Sequence, residues 1–232
     1  MSGWSVVRWT GMLGLAAIVV QVLAVIVFSA GGLPPAFDDG NKVLAYMKNG
    51  HVPFTTSLIL YFIGFALFIG FVAGLRSIAV TAAADHEWLA TTTFGAGLAV
   101  TVISFVSLGL VLASTSIAAS SHANAAVVRL LFETSGVVAG APSLVPLAFY
   151  LGAAGSLVAT TGILPRWLAL VGWIGSVLVL VATFSAYRGS DPAAFWSANG
   201  SVTFLALAPF YLWTLGASVA LVRQKDGVAR RF

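Results

Sequence analysis

The charges of this chain are so sparse that they cut it into six uncharged stretches, and this spacing limits the fold more than any motif. The stretches run 9–37, 49–75, 88–128, 134–165, 167–187 and 192–222, with lengths of 29, 27, 41, 32, 21 and 31 residues. A spanning helix needs about 20 predominantly apolar residues, so each stretch has room for one. Composition agrees, since 59% of the 232 residues are hydrophobic and 8% are charged. A soluble chain carries roughly 45–50% and about 25%. Hydrocarbon must therefore be much of the solvent. Cysteine is absent, which excludes disulfides, thiolate metal sites, iron–sulfur clusters and cysteine nucleophiles.

The reading is an all-α integral membrane protein, a single transmembrane domain over 1–232. Its spans are expected at about 9–30, 54–76, 91–116, 143–162, 168–187 and 200–222. The 41-residue stretch holds one span, because its second half, "STSIAASSHANAA", is too polar for another. The first span reads as a retained anchor. Its run of about 20 apolar residues exceeds the core of a signal peptide.

With six spans, one side receives Arg8, Arg76, Arg166, Arg223, Lys225, Arg230 and Arg231. The other receives Lys42, Lys48, Arg129 and Arg188. The positive-inside rule then puts both termini in the cytoplasm, with 223–232 as a basic cytoplasmic tail. Trp4, Trp9, Trp88 and Trp167 fall at the inner interface, and Tyr187 and Trp196 at the outer one. The net charge of +4 reads as topology and contact with anionic headgroups. It is not a nucleic-acid footprint, because no basic patch is interleaved with stacking aromatics.

Residues 124–142, "NAAVVRLLFETSGVVAGAP", would extend the fourth span to 38 residues ending at Thr161. At about 1.5 Å per residue that far exceeds a bilayer core. Gly140, Pro142 and Pro146 are natural breaks. A separate helix over about 123–139 is expected, on the outer surface or dipping into the outer leaflet. A seventh span is the rival, and it would put the basic tail outside.

Chemistry-bearing residues are few. His51, His86 and His122 lie at or beyond span ends, so none can hold haem inside the bundle. No histidine or acid spacing supports a metal site, and no cofactor is expected. Arg129 and Glu133 stand four apart, on one face of an otherwise apolar helix. An acid there is a surface ion pair or, facing a wet cavity, a working acid and the candidate catalytic group. The spans hold no acid or lysine in their centres, which removes most ion-coupled transporters and retinal proteins. Thr101, Ser104, Ser107 and Ser114 share a seam of the third span, which lines a crevice or bonds backbone. Pro209 lies mid-span beside Tyr211 and Trp213, and a kink there could turn aromatics, with Tyr61 and Tyr150, toward a ligand. Gly70 with Gly74, Gly136 with Gly140, and Gly172 with Gly175 permit close helix contact, within the chain or with a partner. No Walker loop, nucleophile elbow, zincin helix or dinucleotide fingerprint is present.

At "LRSIAVTAAADHEWLATTTFGAGL" and "GILPRWLALVGWIGSVLVLVA" the chain resembles a family of six-span bacterial membrane proteins, frequent in high-GC bacteria and known only as a domain of unknown function. The resemblance covers most of the chain after residue 55. It implies the six-span fold and carries over no functional residue.

Three functional readings follow. The leading one is a multi-pass protein that binds or moves a lipid or small lipophilic molecule through an outward-facing cavity. Glu133, Arg129, His51 and His122 would stand at its mouth, Tyr150 and Tyr211 deeper, and Trp213 beside them. The walls would come from the third, fourth and sixth spans. The second is a lipid- or isoprenoid-modifying enzyme with Glu133 as acid. The third is a scaffold or non-catalytic subunit, whose small-residue faces meet a second copy or a membrane partner.

Overall fold

A computed structural model describes residues 6–224, and among them every regular element is helical. Trp4 and most of the expected basic tail, Lys225, Arg230 and Arg231 included, lie outside the described residues. The helices are α1 (Val6–Ser29), α2 (Gly40–Asn49), α3 (His51–Ala82), α4 (Glu87–Ala118), α5 (Ala125–Ala139), α6 (Ala141–Thr161), α7 (Trp167–Thr183), α8 (Ser201–Leu205) and α9 (Ala208–Arg223). Six helical stretches are long and apolar enough to cross a membrane, with α5–α6 and α8–α9 each counting as one. The protein is a six-span, all-helical membrane bundle. α1 begins and α9 ends at the same end of it, since a Cβ on Gly11 would meet the Val222 backbone at 2.9 Å. That end is called the terminal end below, and the other the loop end.

Helices in lipid gain nothing from hiding apolar surface from one another, so close packing of small residues decides which pairs form. Gly70 and Gly74 of α3 face Leu13 and Thr10 of α1, and Gly64 faces Gln21. Gly155 of α6 and Gly172 of α7 bring two backbones together. A Cβ on Gly172 would lie 2.7 Å from the Leu151 carbonyl oxygen and 2.8 Å from Gly155 Cα.

The segment 123–142 does not form a seventh span. α5 runs antiparallel along the last turns of α4, held by Ser107 Oγ donating to the Ser135 carbonyl (2.8 Å) and Ser114 Oγ to the Val128 carbonyl (3.0 Å). Asn124 caps its start by accepting from the Ala126 amide at 2.9 Å. The break falls at Gly140, whose ψ of −124° leaves the helical region. Pro142 then sits in the first turn of α6, where its missing N–H costs nothing, and Pro146 lies inside that helix without ending it. At the loop end, α2 is capped by Asp39, and its Val43 and Met47 pack with Phe37, Phe54, Val111 and Val128 into a small second core.

The sixth span departs from the expected single helix over 200–222. It is two pieces, because Pro209 has no N–H to give the Leu205 carbonyl and its ring crowds the preceding turn. At the terminal end α6 stops on Gly162, whose φ of +64° favours glycine, and "LPRW" turns into α7.

Gly172→Leu should force α6 and α7 apart, because the obstructing atoms are backbone. A loss of about 1–3 kcal/mol is expected for such overpacking, read as a lower melting midpoint in tryptophan-fluorescence scans. Gly109→Ala, with nothing within 4 Å of the new Cβ, should leave the midpoint unchanged within error.

Candidate functional site

Arg129 and Glu133 meet as their spacing requires, one helical turn apart on α5, with Nε to Oε2 at 3.6 Å. Both are partly exposed, at 39% and 28% of the side chain, so the pair alone adds little. Glu133 does more than pair, because its other oxygen accepts a hydrogen bond from Ser190 Oγ. Ser190 belongs to the segment 189–200 between α7 and α8. Asn199 Nδ2 donates to the Ser190 carbonyl at 3.1 Å, and the Ala198 amide to the Gly189 carbonyl at 2.9 Å. The Asn199 amide fills the notch left by the missing side chain of Gly136, where any Cβ would collide with it. The segment is thus a strap fastened to α5 at Glu133 and Gly136.

The strap carries Trp196, which lines a cavity of about 570 Å³. This cavity is a groove between α7 and the broken sixth span, at the loop end. Ile174 and Leu178 form one wall, and Val202, Pro209 and Leu212 the other. Almost every lining atom is apolar. Small residues make the room, namely Ala182 and Gly175 on α7 and Ala206 and Ala208 beside the break. At Gly175 the ring of Pro209 comes so close that a Cβ would lie 2.6 Å from it.

The aromatic residues expected in a cavity walled by the third, fourth and sixth spans are instead its filling. Tyr150 and Trp213 are fully buried, with ring centroids 5.6 Å apart. Phe68 and Phe210 complete the cluster, 5.0 Å from each other, and Tyr211 packs on Phe210 at its edge. Edge-to-face packing of four large rings leaves no space for a ligand there. The Pro209 break does turn aromatics inward, but they close the centre and the opening lies on the opposite face of α9.

His51 begins α3, half-buried, and His122 lies exposed between α4 and α5. Neither forms a hydrogen bond or ion pair with Glu133 or Arg129. Among the described residues, no group of three or more histidines and acids could hold a metal ion. Burial against Phe54 and Phe132 pushes the Tyr46 phenol up to about 12, and its hydroxyl donates to the Gly32 carbonyl at 3.2 Å.

Ser190, Asn199 and Trp196 were not among the residues singled out from the sequence. The run "SDPAAFWSANGS" is rich in turn formers, which marks a loop but not what the loop touches. No family model, curated protein or solved structure matches the chain.

Gly136→Ala should expel Asn199 and loosen the strap. Proteolytic cleavage within 189–200 should become several-fold faster in the folded protein, while Gly95→Ala, with open space at its Cβ, should cleave at the wild-type rate.

Proposed function

We propose that the protein binds a lipid or small lipophilic molecule by its apolar chain, in the groove between α7 and α8–α9. The observation that carries this reading is the groove itself. Its volume of about 570 Å³ is that of a small-molecule pocket, its walls are hydrocarbon, and it opens on a face crowded with exposed Ile174, Val177, Leu178 and Leu205. A ligand arriving from the bilayer leaves hydrocarbon to enter hydrocarbon, so the hydrophobic effect contributes little. Shape fit decides instead, and an irregular recess beneath Trp196 favours a chain or ring that matches it over bulk lipid. The strap on Glu133 holds Trp196 over the recess, which makes Glu133 and Arg129 supports of the site.

On the same reading the loop end faces outward and the terminal end the cytoplasm of a bacterial plasma membrane, and the chain is a member of the uncharacterised six-span family it resembles. The split of basic residues supports the orientation.

Mass spectrometry of the protein purified in mild detergent should find a co-purifying lipophilic species. Ala208→Phe fills the groove from an exposed position and should lower its retention several-fold, with an unchanged elution profile. Equal retention in this variant would remove the groove as the site. Separately, reporter fusions after Phe232 and after Ala118 should read cytoplasm and exterior respectively. A fusion after Phe232 that reads exterior would reverse the orientation.

A further inference from the structure

The seam between α7 and α9 opens a second time, at the terminal end. There a crevice of about 370 Å³ lies between the start of α7 and the last turns of α9. Its walls are Pro165, Trp167, Gly216, Val219 and Ala220, and Arg223 and Gln224 stand at its rim. Gly216 is what lets it form, because the Trp167 indole lies across that position, in contact with where a side chain would be. Gln224 Nε2 donates to the Ile163 carbonyl at 2.9 Å, which fixes the end of α9 against the turn that leads into α7. The frame is therefore set by protein bonds.

We propose that this crevice binds an anionic glycerophospholipid from the leaflet at the terminal end, separate from the groove beneath Trp196. Three observations converge on that chemistry. First, the crevice lies where two spans leave the apolar region, with a tryptophan of the kind that marks the headgroup level. Second, Arg223 is exposed and, among the described residues, faces no carboxylate. Arg166, next to the lining residues Pro165 and Trp167, is likewise unpaired. The Arg223 guanidinium at the rim, with Arg166 between two of the wall residues in sequence, complements a phosphodiester, and arginine can meet its oxygens through two parallel N–H donors. Third, the walls below are hydrocarbon, which holds an acyl chain and so favours a lipid over free inorganic phosphate. Basic pockets between spans at a membrane face are the usual seats of anionic headgroups.

Native mass spectrometry of the full chain, incubated with equal amounts of phosphatidylglycerol and phosphatidylcholine, tests this directly. Wild type should retain phosphatidylglycerol preferentially. Arg223→Gln, an exposed position, should lower that preference about fivefold, the contribution of one basic residue at a membrane surface. Val219→Phe keeps every charge and fills the recess, and it should lower phosphatidylglycerol retention to a similar extent. Excess inorganic phosphate should displace nothing.

A wild-type preference retained in Arg223→Gln would overturn the proposal. So would undiminished retention in Val219→Phe, which would assign any preference to diffuse attraction at the surface. Displacement by phosphate would overturn it too. Ala208→Phe, in the other groove, should leave the ratio untouched, so failure of the two sites can be told apart.

Discussion

Close contact at glycine, with a neighbouring backbone or side chain, is the interaction on which this bundle depends. Lipid tails solvate a leucine as well as another helix does, so a pair of spans is held only where surfaces fit closely enough to gain more dispersion than lipid offers. α1 meets α3 at Gly64, Gly70 and Gly74, and α9 at its own Gly11 and Gly14. α6 meets α7 at Gly155 and Gly172. The seam between α7 and α9 has Gly175 against Pro209 and Gly216 against Trp167 and Leu168, and beyond these contacts it parts. Both cavities lie on that one seam. The site is located by where the close fit stops.

Polar groups in the spans follow a second rule, that a hydroxyl or acid tends to take a partner on the protein, with Gln21 and the Trp213 indole N–H, buried without one, among the exceptions. The hydroxyl seam of α4 shows it. Thr101 bonds back to the Gly97 carbonyl of its own helix at 3.0 Å, and Ser107 and Ser114 reach across to α5, while Ser104 takes no part. This is the plainer of the two roles the seam could have had, and it fastens α5 in place. Glu133 obeys the same rule at the edge. One of its oxygens faces Arg129 and the other takes the Ser190 hydroxyl, so the acid is spent on holding the strap.

The spans were legible because charge is expensive in hydrocarbon, and its positions therefore print the boundaries on the chain. The break between α5 and α6 was legible for a local reason too, since Gly140 and Pro142 act within one turn of themselves. Pairings across the chain were not. Nothing in "SDPAAFWSANGS" says that Ser190 will meet Glu133, 57 residues earlier, or that Asn199 will fill the space above Gly136. Pro209 was visible as a kink, and its aromatic neighbours as candidates for a ligand. Which face of α9 they would take depends on α6 supplying Tyr150 to the same cluster, and no periodicity within the sixth span encodes that.

The break in the sixth span shows how such an opening survives in lipid. Proline inside a helix costs about 3 kcal/mol, and an orphaned carbonyl in hydrocarbon several more. Here Pro209 falls in the first turn of α9, where helical N–H groups have no partners in any case. The two residues before α9 are stitched by turn bonds, Ala206 N–H to the Val202 carbonyl at 3.0 Å and Leu207 N–H to that of Phe204 at 3.1 Å. Leu207 then accepts from the Tyr211 amide at 3.2 Å, so the chain re-enters a helix within one turn. Most of the cost of the proline is thereby removed. What is left is a span whose upper part, α8, need not continue the line of α9 along α7. The displaced backbone, together with small residues at Gly175, Ala182, Ala206 and Ala208, is sufficient to leave the groove open.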